Sequence, residues 1–166
     1  MSEIQIRGME PADADALHEI FQSSPHVMAN TLQVPWRSAE FTRERFAKPA
    51  PDSHRLVAVI DEQVVGNLGL ELVTAARRRD VASMGMSVHA SFQNRGVGTA
   101  LMNAMVDLAD NWLGIRRIEL EVWTDNLAAV HLYEKFGFVI EGTAHQYARR
   151  AGEFVDAYYM ARLRNA

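Results

Sequence analysis

Val88-His89-Ala90-Ser91-Phe92-Gln93-Asn94-Arg95-Gly96-Val97-Gly98 is the stretch whose reading decides the fold. The apolar run Val81 to Val88 precedes it. The amphipathic run Thr99 to Leu113 follows, with Leu101, Met105, Leu108 and Trp112 in helical register. The spacing predicts a strand, a Gly-rich turn and a helix. Arg95, Gly96, Val97 and Gly98 then stand at the helix start, where backbone N–H groups lack intrahelical partners and the dipole is positive. Such a terminus suits a phosphate group. Without a Cβ at Gly96 and Gly98, backbone and diphosphate can approach closely.

The turn is neither of the two common nucleotide loops. A Walker loop needs a Lys after its last Gly, and Thr99 stands there. The dinucleotide fingerprint has G-x-G-x-x-G, whereas this turn reads Gln93-x-x-Gly96-x-Gly98. By itself that pattern also fits any glycine-containing helix start.

Working outward, Ile4 to Arg7 alternates like a short strand. Pro11 and Asp13 open a helix to about Gln22, with Ala16, Leu17, Ile20 and Phe21 as its stripe. Ser23 to Arg37 is polar and Pro-interrupted, Ser38 caps a second helix, and Pro49 to Asp52 is a linker-like turn. Strands follow at Arg55 to Ile60 and Val64 to Leu72, joined by a hairpin at Asp61-Glu62-Gln63. Gly66 and Gly69 in the second of these suggest a bulge or a close contact. A turn at Arg77 to Asp80 leads into the Val81 strand. Beyond the central helix come a strand at Arg117 to Trp123, a short helix after Asn126, and strands near Phe138 to Ala144 and Asp156 to Arg162. The order is α+β with a mixed sheet of about seven strands and flanking helices. Asn126 is placed as N-cap of its helix and Gly137 as its C′ residue. Tyr133 shares a face with Ala129, Val130 and Phe136.

Val88 with Gln93-x-x-Gly96-x-Gly98, then Asn126, Tyr133 and Gly137-Phe138, resembles the GCN5-related N-acetyltransferase superfamily in order and spacing. The resemblance covers nearly the whole chain. Residues 30–35 and 141–160 are similar to a bacterial L-amino-acid N-acetyltransferase subgroup. The resemblance implies a single domain over residues 1–166, with central strands that splay apart. It implies acetyl-CoA as cosubstrate. Its pantetheine arm would add to the strand edge at Met86, Ser87 and Val88. Its pyrophosphate would sit on N–H groups of Asn94, Arg95, Gly96, Val97, Gly98 and Thr99, with Asn126 nearby. A backbone N–H near Val88 would stabilise the oxyanion. Tyr133 would protonate the leaving thiolate.

The acceptor amine is largely charged at pH 7 and must lose a proton. Glu121 matches the position of the general base in some superfamily members, five residues before Asn126. Glu119 shares its strand face. Glu71 and a water relay are the other readings, and the Val81 strand carries no carboxylate. Apolar residues from His26 to Trp36, Leu32 and Trp36 foremost, are expected to wall an acceptor pocket that favours apolar side chains. The leading reading is transfer of acetyl to the amine of a small molecule, a free apolar L-amino acid. Acetylation of a protein N-terminus or a polyamine is the alternative, and a polyamine site would want a dense acidic cluster. A non-catalytic CoA-binding regulatory protein is the third, and an intact Tyr133 speaks against it.

Composition limits the rest. At 166 residues and 48% hydrophobic, the chain can bury one proper core. A net charge of −4 does not suit a nucleic-acid binder. Arg77-Arg78-Arg79 is a short basic cluster that a solvated loop explains. With no cysteine, disulfides, thiolate metal sites and cysteine nucleophiles are excluded. Six scattered His show no metal spacing, so no metal is expected. The N-terminus does not read as a signal peptide and no stretch approaches a membrane span. A cytoplasmic homodimer without membrane or nucleic-acid partners is the expectation.

Overall fold

A computed structural model describes residues 3–48 and 50–164. The Pro49 part of the expected linker turn lies outside the described residues. Strands β1 (Gln5–Gly8), β2 (Ser53–Ile60), β3 (Gln63–Leu72), β4 (Val81–Val88), β5 (Arg117–Trp123), β6 (Val139–Arg150) and β7 (Glu153–Leu163) form one sheet in the order β1-β2-β3-β4-β5-β7-β6. All neighbours are antiparallel except β4 and β5. The helices are α1 (Ala14–Gln22), α2 (Pro25–Ala29), α3 (Ala39–Phe46), α4 (Val97–Asp107) and α5 (Leu127–Lys135). This is the expected α+β architecture with a seven-stranded mixed sheet.

Alternation along the strands divides the core between two faces. Ala58, Ile60, Leu68, Leu70, Ala82, Met84, Ile118, Leu120 and Val122 pack with Val97, Leu101, Met102 and Met105 of α4 and with Tyr133 of α5. Val57, Val59 and Val64 point the other way, onto Ala14, Leu17 and Ile20 of α1 and Phe46 of α3. Asp13 locks the entry to α1. It accepts two bonds from Arg7, both 2.8 Å, and one from the Glu10 N–H at 2.7 Å.

Three elements differ from the sequence expectation. The polar segment at 23–37 contains α2, capped by Ser24 Oγ, which accepts from the Val27 N–H at 3.1 Å, with Pro25 at its first position. The central helix starts at Val97 and leaves α geometry at Leu108–Trp112, a π-helical turn closed by Leu113 N–H to the Leu108 carbonyl at 3.0 Å. The last two strands form a much longer hairpin than expected, turning at Ala151 and Gly152 (φ 49° and 90°). An irregularity between Ala144 and Ala148, with Gln146 at φ 51°, breaks the alternation there and hid the continuing strand. Asp156 braces it by accepting from the Gln146 N–H at 2.8 Å.

Candidate active site

Apart from the buried Trp123, one half of the sheet face toward α1 and α3 has no core residues to offer. Asn67, Gly69 and Glu71 on β3 lie opposite Ser87, Gly85 and Ser83 on β4. Ser83 pairs with Glu119 on β5, and Glu121 and Trp123 continue that face. These small and polar side chains cannot fill a core. They floor an open cavity of about 920 Å³ that reaches to the start of α4 and to α5. Phe21, Val27, Leu32, Phe46 and Tyr147 contribute apolar and aromatic walls.

The β4 edge is one side of this cavity. His89 N–H donates to the Val65 carbonyl at 2.8 Å, and Val73 N–H to the Val81 carbonyl at 2.9 Å. Bonded and non-bonded pairs alternate in an antiparallel ladder. The backbone groups of Ser83, Gly85 and Ser87 therefore face β3, and those of Met86 and Val88 face β5. Pairing with β5 covers only Val81 to Ser83, opposite Arg117 to Glu119, although both strands run on. The Met86 and Val88 amides thus face β5 beyond the end of that pairing. The Val88 carbonyl accepts from Gln93 Nε2 at 3.3 Å. Ser87, expected to contribute its backbone, has it turned to β3 and presents its side chain to the floor instead.

The turn after β4 is built to leave donors free. Asn94 (φ 57°) and Gly96 (φ 85°) both take the left-handed conformation, which favours glycine. Ala100 N–H closes the first turn on the Gly96 carbonyl at 3.0 Å. The six N–H groups of residues 94–99 have no acceptor among the described residues. Gly98 has a different reason to be glycine from the one its spacing suggests. A Cβ there would lie 3.1 Å from Leu132 Cδ2 and 3.3 Å from Met86 Cε, so its smallness lets α4 pack on α5 and β4.

Tyr133 faces the same cavity from α5. It is 7% exposed, its ring lies 5.9 Å from that of Phe138, and its hydroxyl has no hydrogen-bond partner among the described residues. Burial pushes the phenol up to about 12, so it stays protonated at neutral pH. Asn126 caps α5 by accepting from the Ala129 N–H at 3.4 Å, and its amide nitrogen has no acceptor among the described residues. Two further side-chain donors, Asn67 Nδ2 and Trp123 Nε1, are buried without an acceptor among the described residues, and both residues line the cavity. Orphaned donors of this kind cost free energy unless a ligand oxygen meets them.

The carboxylates sort themselves by partner. Glu119 accepts from Arg78 and Arg117, both at 2.6 Å. Burial pushes its carboxyl up, but the bonds from Arg117 and Arg78 together outweigh that and hold it below the ordinary range. This pairing also employs the central arginine of the basic cluster. Glu71 accepts from Arg55 Nη2 at 2.7 Å and from Ser53 Oγ at 2.8 Å. Glu121 is exposed, lines the cavity and has no ion pair among the described residues. Of the expected acceptor walls, Leu32 lines the cavity, while Trp36 is 94% exposed and lies outside it. A left-handed backbone at Trp36 (φ 60°) goes with that displacement from the cavity wall.

Sequence reasoning missed Arg45, Arg55, Asn67, Gly85, Trp123 and Tyr147, all of which line the cavity. The one available signal was the small or polar residue at every second position of β3 and β4, of which only Gly69 stood out; Gly66 lies on the other face, where a Cβ would meet Val97 and Leu101 of α4. No helix among the described residues is long and apolar enough to cross a membrane.

Residues 14–138 match the model of the Acetyltransferase (GNAT) family. The chain is 48% identical over 164 residues to the L-amino acid N-acetyltransferase AaaT of Escherichia coli (strain K12), covering 99% of this chain and 100% of that one. A GCN5-related N-acetyltransferase from Kribbella flavida superposes with a TM-score of 0.84 at 29% identity, over 97% of this chain and 98% of its own. A spermidine N-acetyltransferase from Vibrio cholerae, solved with CoA and spermine, superposes with a TM-score of 0.84 at 25% identity, over 96% and 95%.

Proposed function

The chain belongs to the GNAT acetyltransferase family and is an N-acetyltransferase, and we propose that it moves the acetyl group of acetyl-CoA to the amine of free L-amino acids with apolar side chains. The near full-length likeness to the E. coli L-amino acid enzyme carries the acceptor class. The cavity supports it with Phe21, Val27, Leu32 and Phe46 on its walls. Burying a large apolar side chain there contributes about 1.5–3 kcal/mol. The whole chain is read as one catalytic domain.

Acetyl-CoA supplies an activated acetyl thioester. The residues present fit it: Met86 and Val88 offer amides on an unpaired edge to the pantetheine arm, and residues 94–99 offer six free N–H groups to the pyrophosphate. The free amide of Asn126 and the orphaned donors of Asn67 and Trp123 supply further bonds to ligand oxygens. Glu121 takes the proton of the acceptor ammonium, because it is the cavity carboxylate that no arginine holds. The Val88 N–H polarises the acetyl oxygen. Tyr133 gives a hydrogen bond, and then its proton, to the departing sulfur.

A polyamine acceptor would need concentrated negative charge. The acceptor side of the cavity instead sets Arg45 and Arg55 against Glu71 and Glu121. A regulatory role without turnover would leave the hydroxyl that Tyr133 turns to the cavity without a task. The reading includes a cytoplasmic homodimer; β6 is one of the sheet's two edge strands and leaves Val139 and Ile140 exposed. Light scattering on the purified protein tests that part. The acceptor is tested by thiol release from acetyl-CoA with pooled L-amino acids, peptides and polyamines. Free Met and Phe should react best. Turnover of polyamines or peptides, with free amino acids inert, overturns the proposal.

A further inference from the structure

We propose that Arg45, with Arg55 beside it, binds the acceptor's carboxylate while Glu121 takes its ammonium group across a floor made by Gly69 and Gly85. The site would then select zwitterionic α-amino acids and reject amines that lack the carboxylate. The proposal rests on the amino-acid reading above and goes further by assigning the residues that enforce it.

Strand register puts these groups on one line. Arg55 on β2 lies opposite Gly69 on β3, and Gly69 lies opposite Gly85 on β4. The parallel pairing of Ser83 with Glu119 brings Glu121 level with Gly85, two residues further on. All four share the sheet face toward α3. Glycine at two of the four positions leaves a trough between the charged side chains. The guanidinium of Arg55 leans over one end, since a Cβ on Gly69 would lie 3.3 Å from Arg55 Nη1. A Cβ on Gly85 would meet nothing within 4 Å. The middle of the trough is therefore open.

The charges there do not cancel internally. Arg55 is held by Glu71 at 2.7 Å, yet only one of its nitrogens is used in that bond. Arg45 lines the same wall and shares the Phe46 ring with Arg55, their guanidinium carbons 5.3 and 4.8 Å from its centre. Arg45 has no carboxylate partner among the described residues. Lost hydration first, and the like charges of Arg55 and Arg37 second, hold its guanidinium below the ordinary value. A neighbouring anion would relieve that repulsion. At the far side Glu121 is the unpaired anion. One unpaired cation and one unpaired anion complement a zwitterion.

The spacing agrees. Paired strands lie about 4.8 Å apart, and β5 is no longer paired with β4 at Glu121, so from β3 to β5 the trough is at least about 10 Å wide there. In an α-amino acid the nitrogen and a carboxylate oxygen are about 3 Å apart by bond lengths. Two charge-assisted bonds of about 2.8 Å each extend this to about 9 Å. A polyamine offers nothing to Arg45 and brings a second positive charge toward it.

The test compares L-Met, L-methioninamide and spermidine as acceptors for wild type, Arg45→Gln and Arg45→Lys at one pH, with rates referred to the concentration of the protonated amine that Glu121 receives. Wild type should prefer L-Met over its amide by about 10- to 100-fold in kcat/KM, the worth of hydrogen bonds to a charged group. Arg45→Gln should erase most of that preference by raising KM for L-Met, with KM for acetyl-CoA and the melting temperature unmoved. Arg45→Lys should restore part of it. If acid and amide react alike in wild type, or Arg45→Gln lowers both equally, the anchor is wrong while the amino-acid reading stands. A raised KM for acetyl-CoA instead would move Arg45 to the cosubstrate and overturn the proposal. If spermidine reacts and neither Met derivative does, the acceptor reading itself falls and takes the anchor with it.

Discussion

Tyr133→Phe separates a proton donor from a packing aromatic. The hydroxyl has no partner among the described residues, so removing it breaks no hydrogen bond, and the ring keeps its place beside Phe138. The hydroxyl is not one of the buried polar atoms left without a partner; it opens to the cavity, so its loss leaves no buried group unsatisfied. The variant should therefore melt no lower than wild type. Turnover should fall. General acids contribute about 10²- to 10⁴-fold, and the structure points to the lower end. Burial leaves the phenol near 12, a weaker acid than an ordinary thiol with a pKa of about 8.5. Proton transfer to the thiolate is then uphill, and most of the gain comes from the hydrogen bond made as sulfur departs. We expect kcat to drop about 10²-fold with KM for acetyl-CoA unchanged. Colorimetric thiol release measures this cleanly, because the chain contains no cysteine to react with the reagent. The same raised phenol predicts no alkaline loss of activity from Tyr133 ionisation below about pH 11 in wild type. A variant with wild-type kcat, under conditions where pre-steady-state rates show chemistry to be limiting, would refute the reasoning.

Gly96→Ala puts a Cβ on a backbone at φ 85°, a strain of about 1–2 kcal/mol, and Gly98→Asp forces a charged side chain against Leu132 and Met86, where α4 packs on α5 and β4 beside the six N–H groups. Both should weaken acetyl-CoA binding in calorimetry, the second severely, and unchanged affinity in folded variants would remove the pyrophosphate from this turn. Glu121→Gln should lower kcat/KM at neutral pH and recover at high pH, where the acceptor is already neutral; superimposable pH profiles would favour a water relay. Asp110 and Arg162 share two bonds, 2.9 and 2.7 Å, that tie the π-helical turn to β7. Those bonds hold the Asp110 carboxyl below its ordinary value, so their stabilisation is full above the unfolded pKa of about 3.9 and is lost as pH falls through the folded one. Asp110→Asn should cost about 1.5–3 kcal/mol at pH 7 and much less near pH 3 by urea denaturation. An equal gap at both pH values would deny the ion pair that role.

The local signals needed no tertiary information. The strand, turn and helix around Gly96, the Asn126 cap and the Gly137 stop each follow from backbone preferences over a few residues, and the structure contains all three. That is also why the family was legible, since its signature is made of such local pieces. The acceptor side was not legible, because its parts come from α3, β2, β3, β4, β5 and β6 and meet only through register. Nothing near Arg45 in the chain announces Glu121, and Gly85 reads as a weak strand residue until Gly69 is set opposite it. Trp36 shows the reverse error: an apolar residue in a plausible segment, turned out to solvent. Sequence by itself determined which helix start leaves its N–H groups free and which helix carries Tyr133. Only the tertiary structure decided which charges are already spent on one another, as Glu119 and Glu71 are, and which remain for a substrate. Charge pairing depends on distances of a few ångströms between strands that the chain order does not encode.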